Sequence, residues 1–274
     1  MNQQISKSKE DAKLEKLLCF DYDMTLLDHA TGTIPESAQR AIRLLRPEWK
    51  IIIATGRDMH QPESDYGIKT VHPDAIVEMN GARICADGKV LYEYFLPQKL
   101  MRQIIRFGRE KGLCISCILD NVYYTTAPQR LQEFVNTCVR KDAIQVRPAE
   151  EVFGKRVSAL TLVGEQKDAR LLEEHFSEVR VPLFAKKRGA DIIPKTLSKA
   201  EGMRQLLKHY GSDFSHVIFF GDSGNDLELI QAAQLGIAMG NAIPPVKEAA
   251  NYVTSAVGEN GVWNALFHFQ LIHE

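Results

Sequence analysis

The sequence predicts an α/β protein: a parallel-sheet core interrupted by an inserted α+β unit. Near-continuous apolar runs at 17–20, 51–53 and 217–220 alternate with helical patterns at both ends of the chain, as strands covered on both faces do. The middle of the chain breaks that rhythm with paired apolar runs about Asp87-Gly88 and Asp120-Asn121, a hairpin signal. The chain has 274 residues, enough for one large domain or two modest ones.

Residues 17–20 are too few for a helix and read as a buried strand. Pro35 opens a helical pattern with Ala38, Ala41, Ile42 and Leu45 on one face, and Pro47 stops it. Residues 50–54 and 75–77 are the next strands. A hairpin follows at 82–91, an amphipathic helix at 97–111 and a second hairpin from 113–119 and 122–126. Helical stretches at 131–139 and 167–176 alternate with strand-like runs at 157–163 and 179–184. The first rhythm then resumes: helices at 199–209, 227–233, 244–250 and 262–269, and strands at 217–220, 236–239 and 252–254. The expected division is a core in two parts, 1–82 and 189–274, around an inserted unit at 83–188, with 1–16 a frayed polar extension.

Apolar content of 45 % and charged content of 25 % are ordinary for a globular protein. A net charge of −1 gives no electrostatic reason to expect nucleic acid or an anionic membrane, and no protein partner is evident. No apolar run reaches bilayer-spanning length, and the Lys-rich N-terminus is no secretory signal. Five scattered cysteines argue for a reducing, cytoplasmic setting rather than a disulfide framework. Cys114 and Cys117 have metal-ligand spacing, but they lie inside an apolar run with no second pair and read as buried small side chains.

Four short stretches carry the chemistry. Asp21-Tyr22-Asp23-Met24-Thr25 follows the first strand, Ala54-Thr55-Gly56-Arg57 the second, Ser198-Lys199 opens a helix, and Gly221-Asp222-Ser223-Gly224-Asn225-Asp226 follows the 217–220 strand. Ligands in parallel α/β sheets bind beyond the carboxyl ends of strands, so these groups should share one crevice. Asp21 and Asp23 are two apart in extended chain and point to one side, where two carboxylates need a cation. Mg²⁺ suits such hard oxygen donors, with Asp222 completing the set Asp21, Asp23 and Asp222. Asp21 is then the nucleophile toward phosphorus. Asp23, protonated at rest, is the acid for the leaving alkoxide and afterwards the base for water. Thr55, with the backbone N–H groups of Gly56 and Arg57, is the phosphate cradle. Lys199 neutralises the transferring group, with Lys195 as the competing lysine. Ser198 caps the helix, and Asp226 holds water or Lys199 in place.

In this order the motifs resemble those of the haloacid dehalogenase-like hydrolases, and within them the Cof-type sugar-phosphate phosphatases of subfamily IIB. The resemblance runs from Leu17 to about Phe269 and is strongest at 21–25 and 221–226. Further echoes are Ala54-Thr55-Gly56-Arg57, Asn80-Gly81-Ala82 and Gly240-Asn241-Ala242. It implies a Rossmann-like core with an α/β cap between the second and third motifs. It implies that Asp21, the backbone carbonyl of Asp23 and Asp222 hold Mg²⁺, and that Thr55 and Lys199 grip the phosphate, with Asn80 and Asn225 in the same set. The second aspartate marks a phosphatase or phosphomutase. Two residues depart from the family pattern: Met24 and Ala200 stand where glycine is usual. The implied substrate is a small phosphorylated metabolite, a sugar phosphate, with Tyr123, Tyr124 and Arg188 as candidates for choosing the leaving group. A phosphomutase and a non-catalytic phospholigand-binding protein are the alternatives. The latter predicts loss of Asp21, Asp23, Lys199 or Asp222, and none is lost.

Overall fold

A computed structural model describes residues 15–138, 144–184 and 188–273. The expected N-terminal extension therefore lies almost wholly outside the described residues. The chain opens with β1 (Lys16–Phe20), α1 (Glu36–Leu45), β2 (Trp49–Ala54), α2 (Asp65–Val71), β3 (Ala75–Glu78), β4 (Arg83–Ala86) and β5 (Lys89–Glu93). It continues with α3 (Gln98–Glu110), β6 (Cys114–Leu119), β7 (Val122–Thr125), α4 (Pro128–Cys138), β8 (Val146–Pro148), β9 (Leu160–Val163), α5 (Gln166–His175), β10 (Val179–Arg180) and β11 (Ala190–Pro194). It ends with α6 (Lys199–Tyr210), β12 (Val217–Gly221), α7 (Leu227–Ala232), β13 (Leu235–Ala238), α8 (Pro244–Ala249), β14 (Tyr252–Val253) and α9 (Gly261–His268).

Two sheets form. The larger has eight strands in the order β14-β13-β12-β1-β2-β3-β4-β5, and the smaller six in the order β10-β11-β9-β6-β7-β8. From β14 to β3 every pairing is parallel, and the β4–β5 hairpin adds an antiparallel edge. Alternate residues of β1 serve opposite cores. Leu18 and Phe20 pack with Ala41 and Ile42 of α1 and Leu266 of α9, while Leu17 and Cys19 pack with Met203 of α6 and Ile230 of α7. Burial on both faces explains why these strands read as unbroken apolar runs.

In the smaller sheet, Ile115 of β6 packs toward α3 and α5, and Cys114 toward Leu131 of α4. Cys114 and Cys117 fall in different clusters, so their spacing does not bring two thiols to one metal.

Three expectations differ from the structure. The hairpin placed in the inserted unit joins the larger sheet, because β4 pairs with β3 along Ala75–Glu78. The strand expected at 179–184 ends at Arg180, since Pro182 has no N–H to continue a ladder. In its place β11, unrecognised in the sequence, pairs with both β9 and β10. We propose that the inserted unit begins after Glu93 and ends after Pro194. Also unrecognised were α2 and β8, both short.

Candidate active site

β1 lies between β12 and β2, so the ends of three adjacent strands deliver Asp21, Asp222 and Thr55 to one edge. Asp21 N–H donates to Phe220 O at 2.8 Å and Thr55 N–H to Val77 O at 2.8 Å, which fixes both residues at the ladder's end. Lys199 enters from the first turn of α6, where Ser198 Oγ accepts the Glu201 N–H at 3.0 Å.

These groups form a buried charged cluster. Lys199 Nζ donates to Asp21 Oδ1 at 2.6 Å and to Asp226 Oδ1 at 2.7 Å. Lys199 is 1 % exposed, Asp21 4 %, Asp222 3 % and Asp226 0 %. Burial pushes the Asp21 carboxyl up to about 7 in spite of Lys199, and pushes Asp222, crowded by Asp21 and Asp226, up to about 9. Burial would lower the Lys199 ammonium, but Asp21 and Asp226 outweigh it and hold it charged. Lys195, the competing lysine, is exposed, whereas Lys199 is the one in contact with Asp21.

Carboxylate oxygens of Asp21, Asp222 and Asp226 lie within 4.8 Å of one another. Asp226 is already engaged: its Oδ2 accepts the N–H groups of Asp222 and Ser223, each at 2.9 Å. The Asp222 carboxylate has only a long 3.5 Å contact from Asn241 Nδ2 among the described hydrogen bonds. Two buried carboxylates so poorly compensated fit a hard dication.

Asp23 departs from its expected state. Arg57 grips it in a fork, Nε to Oδ2 at 2.6 Å and Nη2 to Oδ1 at 2.6 Å, and His29 Nε2 lies 2.6 Å from Oδ1. Burial alone would raise this carboxyl, but His29 and Arg57 hold it down to about 2. It is therefore ionised at rest, not protonated, and its side chain is committed to Arg57 rather than to the Asp21–Asp222 pair. Met24 has φ of 61°, in the left-handed region that glycine adopts without cost, which accounts for the glycine expected there. Asn241 Nδ2 holds Met24 O at 2.8 Å.

The second strand end gathers a further set of polar groups. Thr55 Oγ1 accepts the Arg57 N–H at 3.0 Å, and Thr55 O accepts the Asn80 N–H at 3.0 Å. Thr55 keeps its own O–H proton for a ligand oxygen. Asn225 Nδ2 donates to Asn80 Oδ1 at 2.8 Å, and Asn80 Nδ2 donates to Asp191 Oδ2 at 2.7 Å. Asp191, on β11, is the site residue that sequence reasoning missed. Burial pushes its carboxyl up to about 6, against the hydrogen bond from Asn80. The nominated leaving-group residues belong to the smaller sheet and the segment before β11. Tyr123 and Tyr124 pack into two clusters of the smaller sheet, with Lys155 Nζ on the Tyr124 hydroxyl at 2.9 Å, and Arg188 is exposed. A second group of ligand type, His60, Glu78 and Cys85, is occupied by Arg83, whose Nη1 lies 3.1 Å from His60 Nδ1 and 3.3 Å from Glu78 Oε1.

The model of the haloacid dehalogenase-like hydrolase family matches residues 18–266, and this chain belongs to that family. The chain is 28 % identical over 258 residues to the 5-amino-6-(5-phospho-D-ribitylamino)uracil phosphatase YitU of Bacillus subtilis (strain 168), covering 90 % of this chain and 94 % of that one. It is 29 % identical over 286 residues to a putative bifunctional phosphatase/peptidyl-prolyl cis-trans isomerase of Streptococcus pyogenes. That match covers 97 % of this chain but only 56 % of the longer protein's length. Among solved structures, a sugar phosphatase of haloacid dehalogenase subclass IIB superposes with a TM-score of 0.85 at 26 % identity, covering 94 % of this chain and all of that one. A phosphatase of the superfamily from Bacteroides thetaiotaomicron gives 0.83 at 26 %, covering 98 % of this chain and all of the other. These likenesses place the chain with the Cof-type, subclass IIB members. No helix among the described residues is long and apolar enough to cross a membrane.

Proposed function

We propose that this haloacid dehalogenase-like phosphatase hydrolyses small phosphomonoesters, sugar phosphates among them, through an aspartyl-phosphate on Asp21 with Mg²⁺ as cofactor. The observation that carries the reading is the convergence of Asp21, Asp222, Asp226 and Lys199, from three separate elements, in one buried cluster. The similar sugar phosphatase and YitU lend the substrate class.

Asp21, Asp222 and the backbone carbonyl of Asp23 are the proposed magnesium ligands. The ion would offset the phosphate's negative charge and keep both carboxylates ionised. Lys199 holds one oxygen of Asp21, which leaves the other to attack phosphorus. Thr55 O–H, Gly56 N–H and the amides of Asn80 and Asn225 receive the phosphoryl oxygens. The P–O bond to the alcohol breaks and its electron pair takes a proton. Asp23, ionised against Arg57 and His29, can give that proton only after it has released them and taken one up from solvent, so the acid role requires a rearrangement and a prior protonation. As the base that takes a proton from attacking water, Asp23 already has the required charge. Water then releases phosphate and restores Asp21.

The test is a panel of phosphomonoesters assayed with Mg²⁺ for the parent and for Asp21→Asn and Asp23→Asn. Phosphate release by the parent and its loss in both variants is expected; turnover at the parent rate in both overturns the assignment. A phosphomutase would release little phosphate and would demand a bisphosphate activator, which the same panel reads.

A further inference from the structure

Three polar side chains from distant parts of the chain converge over Gly56. A Cβ there would lie 2.8 Å from Asp191 Oδ2, 3.3 Å from Asn80 Nδ2 and 3.5 Å from Asn225 Nδ2. Asp191 belongs to the smaller sheet, Asn80 follows β3 and Asn225 follows β12. They form one directed relay: Ser223 Oγ donates to Asn225 Oδ1 at 2.7 Å, Asn225 Nδ2 to Asn80 Oδ1 at 2.8 Å, and Asn80 Nδ2 to Asp191 Oδ2 at 2.7 Å. Asn80 is 1 % exposed and its backbone is held at φ 53°, ψ 38°, so the carboxamide can choose between its two faces but cannot move away.

A primary amide can present either its oxygen or its NH₂ at nearly the same place. An ionised carboxylate only accepts. Asp191 thus forces Asn80 to turn its NH₂ toward the carboxylate and its oxygen toward Asn225, which fixes Asn225 and Ser223 in turn. Each amide nitrogen carries a second N–H, and both nitrogens lie beside Gly56, where the proposed cradle needs donors.

We propose that Asp191 is a positioning residue for phosphate recognition: it sets the polarity of the Asn80–Asn225 relay so that N–H groups, not carbonyl oxygens, face an oxyanion at Gly56. This rests on the phosphatase reading above. A negative charge beside a phosphate site would by itself weaken phosphate binding, so the two views of Asp191 predict opposite signs for one isosteric substitution.

The experiment compares the parent with Asp191→Asn, Asn80→Ala and the double variant at pH 8. Steady-state hydrolysis of an aryl phosphate with Mg²⁺ is measured, with inorganic phosphate as the competing probe. In Asp191→Asn the phosphate Ki and the KM should rise together by about tenfold, with a smaller fall in kcat, as expected for losing an oriented donor to a charged group. The rise in melting temperature caused by inorganic phosphate should shrink in parallel. Because Asp191 acts through Asn80, adding Asp191→Asn to Asn80→Ala should cost nothing further. Tighter or unchanged phosphate binding in Asp191→Asn, or additive losses in the double variant, overturns the relay while leaving the phosphatase reading intact. A parent that neither hydrolyses the ester nor binds phosphate overturns both.

Discussion

Lys199 is the charge that makes three buried carboxylates tolerable. It touches Asp21 and Asp226 directly, and all three are almost fully buried. Lys199→Met should therefore cost about 3–5 kcal/mol in metal-free buffer, because it strands two buried acids without their partner. Chemical denaturation reads this directly. Asp21→Asn has the opposite character. It removes one member of a repelling group, so stability should hold or rise while turnover falls by at least about a thousandfold, the usual outcome of deleting a nucleophile. Met24→Gly tests backbone strain. At φ 61° a methionine costs about 1 kcal/mol relative to glycine, so the variant should melt higher unless side-chain packing offsets the gain. Asp21, Asp222, Thr55 and Lys199 were legible because each follows an apolar strand or opens a helix. Asp191 was not, because its role arises from contact with Asn80, 111 residues away in the chain, and no local pattern marks it. The charge of Asp23 was misread for a similar reason: Arg57, 34 residues away, decides it.

At the scale of elements, α6 carries Lys199, and its seat against β3 sets where the ammonium lies. Two glycines make the approach possible. A Cβ on Gly202 would meet Val77 Cγ1 at 2.5 Å and Gly81 Cα at 2.9 Å, and one on Gly81 would collide with Ser198 O. Gly202→Ala should push α6 off the sheet at a cost of about 1–3 kcal/mol, the range for overpacking, and lower kcat through a displaced Lys199. Ser198→Ala removes the cap bond to Glu201 and the side-chain hydrogen bond with Glu228, and should cost about 1 kcal/mol. If the two variants lose kcat equally, the seat of the helix is not what places the lysine. The parallel strands were legible as apolar runs with helices between them. The allegiance of the β4–β5 hairpin was not, since a hairpin's pattern says which strands pair but not which sheet they extend. β11 escaped notice because Ala190–Pro194 is short and ends in proline, and Pro182 truncates the strand expected before it.

For the whole molecule, the carboxylates at the strand ends couple folding to pH and to metal. Asp21 and Asp222 have folded values near 7 and 9 against an ordinary 3.8. The folded chain therefore keeps protons that the unfolded chain has released. Their contribution to stability is fullest below about pH 4 and declines as pH rises through 7 toward 9. Asp23, held near 2, has the opposite sign: its contribution is complete above about pH 4 and is lost only as pH falls through 2. Between pH 5 and 8 Asp191, held near 6, moves with Asp21 and Asp222, and all three act in the same direction. With a chelator present, the melting temperature should fall across that window. On the proposed reading Mg²⁺ would bind the deprotonated pair in the folded chain only, so its stabilisation should grow with pH, reaching about 2.7 kcal/mol at a hundredfold excess over its dissociation constant. Asp222→Asn removes both the acid and a proposed ligand, so its melting curves should be flatter with pH and insensitive to Mg²⁺. Superimposable curves for the parent with chelator and with Mg²⁺ at pH 8 would rule out a metal between Asp21 and Asp222, and the aspartyl-phosphate chemistry would then need another source of positive charge than Lys199 alone.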